Sequence, residues 1–72
     1  MGARKVSIKQ TSKYAWRISF DGMVPGDSRG YDEQGAWNAA LKLVSEEAFH
    51  AEREGREPEL VLDRAGRTTW NG

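Results

Sequence analysis

The chain has 72 residues, with 11 basic and 11 acidic side chains and a formal net charge of zero. That length makes one domain, residues 1–72, whose small core leaves a net stability on the order of a few kcal/mol. With no cysteine, disulfides, thiolate metal sites and thiol catalysis are excluded, and a reducing cytoplasm fits.

Lys5-Val6-Ser7-Ile8-Lys9 alternates polar and apolar residues, the period of a half-buried strand. Gln10 to Lys13 reads as a polar turn. Tyr14, Trp16, Ile18 and Phe20 then alternate with Ala15, Arg17 and Ser19, so every even position is large and apolar. The two segments form a hairpin. Asp21-Gly22 opens a loop that runs to Gly30 and holds Pro25-Gly26-Asp27-Ser28, all turn formers. A short edge strand near Arg29 to Tyr31 would make a meander.

Asp32 is placed to cap a long helix that reads to Glu54, with Gly55 as the residue after it and Pro58 barring continuation. Trp37, Ala40, Leu41, Val44, Ala48 and Ala51 form its apolar stripe. Gly35 weakens the first turn and would permit close packing on a sheet. Glu59 to Asp63 reads as a strand, Arg64-Ala65-Gly66 as a turn and Arg67 to Trp70 as a last short strand. The expected fold is α+β in the order β-β-α-β-β, a small antiparallel or mixed sheet with one long helix on one face. The expected core is Val6, Ile8, Tyr14, Trp16, Ile18, Phe20, Trp37, Leu41, Val44, Ala48, Leu60, Leu62 and Trp70.

No apolar run approaches the roughly 20 residues of a membrane span. Met1 to Gln10 is basic but lacks the apolar segment of a signal peptide. A cytoplasmic location without membrane contact is expected.

Trp16-Arg17-Ile18, Asp21-Gly22, a helix with Ala36 and Ala39-Ala40, then Leu60-Val61-Leu62-Asp63 and Gly66-Arg67 resemble a family of small bacterial proteins catalogued as domain of unknown function 2188. The resemblance runs from about Lys5 to Thr69. The longer loop at 22–30 and Arg64-Ala65-Gly66 depart from that family's pattern. The likeness implies the fold and no activity. Gly30-Tyr31 before the helix is also similar to the step before the helix in the arm-binding domain of phage-type integrases. That likeness implies a DNA-facing sheet and a phage or mobile-element origin.

The charge is unevenly spread. Residues 1–29 hold six basic groups against two acidic ones, a net of +4. Residues 30–72 hold five against nine, a net of −4. If even positions face the helix, Lys5, Ser7, Lys9, Arg17 and Ser19 point outward. With Lys13 at the hairpin tip and Arg29 in the loop, they form a candidate nucleic-acid surface of Lys5, Lys9, Lys13, Arg17 and Arg29. Lysines on exposed strands also serve to block aggregation. Tyr31, Leu43, Phe49 and Trp70 are candidates for a protein-partner or homodimer surface, since Leu43 and Phe49 leave the helix stripe and aromatics mark interfaces.

Glu47 and His50 have the E-x-x-H spacing of a di-iron site, but a single histidine cannot complete one. Glu46 and Glu47 are adjacent on a helix and point in different directions. Residues 22–30 lack a phosphate-loop pattern. No metal, cofactor or catalytic residue is expected. The expected function is a non-enzymatic interaction module for a protein partner or a second copy. The alternative is a small nucleic-acid-binding domain.

Overall fold

A computed structural model describes residues 2–72. Two strands, β1 (Arg4–Ser12) and β2 (Ala15–Phe20), pair antiparallel, with Val6 opposite Phe20 and Lys9 opposite Arg17. A 22-residue helix, α1 (Glu33–Glu54), follows. It leads to β3 (Leu60–Leu62), which pairs parallel to β1 with Lys5 opposite Val61. The three-stranded sheet is therefore mixed, in the order β2-β1-β3, and α1 covers one face. The expected α+β class and strand–strand–helix–strand order hold.

The expected last strand at Arg67–Trp70 is reduced to one parallel bridge, Lys9 with Thr68. A single 3-10 turn, α2 (Arg64–Gly66), interrupts the edge between β3 and that bridge. Asp63 caps this turn through the Ala65 N–H at 3.1 Å. The edge strand expected at Arg29–Tyr31 is also one bridge, Trp16 with Tyr31, held by two hydrogen bonds of 2.8 Å. Asp21-Gly22 does more than open a loop. Asp21 (φ 53°) and Gly22 (φ 84°) both adopt the left-handed region, and Phe20 and Met23 exchange hydrogen bonds of 2.8 and 3.0 Å across them. Two positive φ angles in a two-residue turn match the twist of an antiparallel ribbon, and Asp-Gly suits them.

Helix α1 starts as its sequence dictates. Asp32 accepts a 2.6 Å hydrogen bond from the Gly35 N–H. Gly35 serves this cap, not the sheet: a Cβ there would lie 2.8 Å from Asp32 Oδ1. Gly55 closes the other end in the left-handed region (φ 67°), and the Arg56 N–H returns to the Ala51 carbonyl at 3.0 Å.

The core is Val6, Ile8 and Trp16 from the sheet against Ala36 and Ala40 from α1. Ile18, Phe20, Tyr31, Trp37, Val44, Leu60 and Leu62 close around it. Four residues expected there are outside. Tyr14 is 82% exposed because it sits in the turn between Ser12 and Ala15, where the strand alternation has not begun. Leu41 and Ala48 are exposed because the buried stripe runs Ala36, Ala40, Val44, Glu47, Ala51, one step round the helix. Small side chains let that side approach the sheet, and the larger Leu41 is left at the margin. Trp70 is 45% exposed because no strand carries it onto the core.

Glu47 sits on the buried stripe for a polar reason. Its carboxylate accepts from Arg56 Nη1 at 2.6 Å and from the Glu59 N–H at 2.8 Å, tying the helix to the start of β3. The Arg56 guanidinium, then the Glu59 N–H, hold the carboxyl at about 2, below its ordinary value of 4.5. A carboxyl that is more acidic when folded stabilises the fold above its unfolded pKa and loses that contribution as pH falls toward the folded value. Wild-type stability should therefore decline between about pH 4.5 and 2. Glu47→Gln should be less stable at pH 7 and show a flatter decline in that window, whereas Glu46→Gln should track the wild type. Thermal melts at pH 7, 4.5, 3 and 2 check this.

Candidate functional site

Two surfaces gather the candidate residues. The first lies between the outer edge of β2, the loop at 23–31 and α1. Tyr31 bridges to Trp16 and so draws the loop back along β2. Arg17 reinforces it, donating from Nη1 to the Ser28 carbonyl at 2.7 Å. Beneath the loop a recess of about 210 Å³ remains, lined by Ile18, Phe20, Pro25, Tyr31 and Leu43, with Asp27, Ser28 and Arg29 also bordering it. Its lining is apolar with one charge of each sign. Leu43 is 36% exposed, on the α1 side of this recess. Three residues from two separate sequence expectations, Tyr31, Leu43 and Arg29, thus meet in one place. Ile18, Phe20 and Pro25 were not singled out as site residues. A strand's alternation reads the first two as core, and only the loop's path shows that they also line a recess.

The second surface is the sheet face turned away from α1. Strand register puts Lys5, Lys9 and Arg17 there, with Ser7 opposite Ser19 between them. Lys9 and Arg17 are directly opposed, and like charges in that relation repel. The two serines, 4% and 1% exposed, are not open to solvent as alternation suggests. A Cβ at Gly66 would lie 3.1 Å from Ser7 Cβ, so the α2 turn packs against that side chain. Lys13 stands at the hairpin turn with its Nζ 5.5 Å from the centre of the Tyr14 ring. Arg29 is not part of this face but borders the recess.

Phe49 and Trp70 join neither the recess nor each other. Phe49 is 57% exposed on the outer side of α1, edge-on to His50 at 5.8 Å and beneath Arg53 at 5.6 Å. Trp70 lies near the hairpin turn, its N–H donating to Gln10 Oε1 at 3.0 Å.

A larger cleft of about 700 Å³ runs along Gly2–Arg4, Glu47 and Arg56–Leu60. Its central charges are spent on structure: Arg56 is paired with Glu47, and Arg4 reaches Asp21 at 3.5 Å. Among the described residues no helix is long and apolar enough to cross a membrane, and no three His, Asp or Glu side chains are grouped to hold a metal ion. No family model matches the chain, and no curated protein or solved structure matches it.

Proposed function

We propose that this domain is a non-enzymatic interaction module that takes an apolar side chain of a protein partner into the recess between β2, the 23–31 loop and α1. The observation that carries this reading is the recess itself, an apolar hollow of about 210 Å³ at the protein surface. That volume is below the roughly 300–1,000 Å³ usual for a drug-sized ligand. It suits one anchoring Leu, Met or Phe. Such an anchor in a water-excluding pocket, surrounded by weaker polar contacts, is how protein interfaces concentrate their affinity. Asp27 and Arg29 supply both signs of charge beside it and favour a partner segment with charges flanking the anchor.

The test is selection of a random 12-residue peptide library on the folded domain. Recovered peptides should share one apolar position. Their amide shift changes should centre on Ile18, Tyr31 and Leu43. Leu43→Glu, which places a carboxylate beside the hollow without touching the buried core, should weaken binding by about tenfold or more. Peptides that bind equally well to Leu43→Glu would overturn the reading. Sedimentation of the free domain identifies the partner as a second copy if a dimer forms and Leu43→Glu dissolves it.

A further inference from the structure

We infer that the open end of the sheet, around the Lys13-Tyr14 turn, is a binding surface for single-stranded nucleic acid. The surface is distinct from the recess.

Two stretches far apart in sequence meet at this end. The Gln10 N–H donates to the Thr68 carbonyl at 2.8 Å, and the Thr68 N–H to the Ile8 carbonyl at 3.1 Å. The Gln10 side chain then ties both stretches together. Its Nε2 donates to the Lys13 carbonyl at 3.1 Å, and its Oε1 accepts from the Trp70 N–H at 3.0 Å. One buttressing amide thus holds the backbones of Lys13 and Trp70 within the reach of a single side chain.

The charge at this end is segregated. Residues 9–17 and 67–72 contain Lys9, Lys13, Arg17 and Arg67 and no acidic residue, in a chain whose net charge is zero. Arg67 is satisfied by Glu33 at 2.9 Å, and Arg17 is held by Ser28. Among the described residues, neither Lys9 nor Lys13 pairs with a carboxylate. Toward the other end of the same strand an acidic group enters: the Asp21 carboxylate accepts from the Lys5 backbone N–H at 2.8 Å and lies 3.5 Å from the Arg4 guanidinium.

Tyr14 is fully presented, and Trp70 is partly so, with Gly72 against the edge of its indole. Tyr14 is 82% exposed and Trp70 45% exposed. The Lys13 ammonium sits over the Tyr14 ring. A base face on the ring with a phosphate at the ammonium uses both groups at once. Bases stack on exposed rings only when they are free of a duplex, and a cationic surface follows their backbone. Exposed aromatics beside Lys9 and Lys13 therefore favour single strands over duplex.

The experiment is fluorescence anisotropy of labelled dT12 and of a 12-base-pair duplex, titrated with the full chain at 50 and 200 mM KCl. The single strand should bind more tightly. Neutralising about three phosphates should weaken it roughly twentyfold over that salt range. Tyr14→Ala and Trp70→Ala should each cost about tenfold, with far-UV circular dichroism unchanged because both side chains are exposed. Lys13→Ala should make the salt dependence shallower. Leu43→Glu should leave dT12 affinity unaltered, which separates this surface from the recess. No binding at 50 mM KCl overturns the inference, as does equal or tighter binding to the duplex. So does a Tyr14→Ala/Trp70→Ala double variant that binds like the wild type.

Discussion

Trp16→Ala should abolish the cooperative unfolding transition at 25 °C. Trp16 is 7% exposed and is the largest side chain in the buried cluster. Removing it takes away transfer free energy and leaves a cavity between β2 and the N-terminal half of α1. Truncations of this kind cost about 3–5 kcal/mol. A domain of this length has a net stability of about the same size. One further contact fails with the ring. Arg67 lies over it at 5.1 Å while pairing with Glu33, so the indole backs the contact between the C-terminal segment and the helix start. Urea titration followed by far-UV circular dichroism checks the prediction. Trp16→Phe should keep a transition at lower urea, and Trp70→Ala should stay within about 0.5 kcal/mol of the wild type, as exposed positions do. A Trp16→Ala midpoint matching that of Trp70→Ala would show that Trp16 does not anchor the core.

How far the fold was legible follows from where its signals lie in the chain. Helix α1 is announced by local chemistry. Asp32 and Gly55 each meet a backbone need that neighbouring residues define, and the expected ends agree with the observed ones, whereas Gly35, expected to pack on the sheet, lies against the Asp32 cap. The hairpin was legible for the same reason, since alternation at Val6, Ile8, Trp16, Ile18 and Phe20 survives into the sheet. What sequence could not give was set by pairing across distance. The parallel run of β3 beside β1 is chosen by the helix crossover. Tyr14 belongs to the turn because β1 extends to Ser12, and nothing local separates Ser12 from the polar residues before it. The face with Lys5, Lys9 and Arg17 was legible from period two. The recess was not, because it depends on the 23–31 loop doubling back along β2. One bridge at Tyr31 and one Arg17–Ser28 hydrogen bond hold that path. Neither leaves a periodic trace.

The same distinction explains the missed burial on α1. A hydrophobicity pattern ranks Leu41 above Ala36, yet Ala36 is fully buried and Leu41 is 38% exposed. Packing distance decides between them. Ala36, Ala40 and Ala51 are fully buried, and Ala36 and Ala40 let the helix backbone settle close to Val6 and Ile8. Turning the helix to bury Leu41 and Ala48 would lift it off the sheet and carry the Glu47 carboxylate away from Arg56 and the Glu59 N–H, to which it is bonded. Apolar area at the margin is given up for contact along the stripe and for that polar tie.

Ala40→Leu and Ala48→Leu test this directly, because they make the same chemical change on two sides of the helix. Both substitute one strong helix former for another, so backbone propensity nearly cancels. At Ala40 the added carbons meet the sheet. The helix must move or the side chain must take a strained rotamer, at a cost of about 1–3 kcal/mol. The entry to the recess should widen with it, because Leu43 lies less than one turn further along α1. At Ala48 the same carbons enter solvent on the side of the helix that also carries Leu41, and stability should change by no more than about 0.5 kcal/mol. Thermal and urea unfolding of the two variants give the comparison, and amide shifts of Ile18 and Tyr31 report on the recess. Greater destabilisation by Ala48→Leu than by Ala40→Leu would mean that the helix presents its Leu41–Ala48 side to the sheet. Leu43 would then turn away from β2, and the proposed partner site would lose its wall.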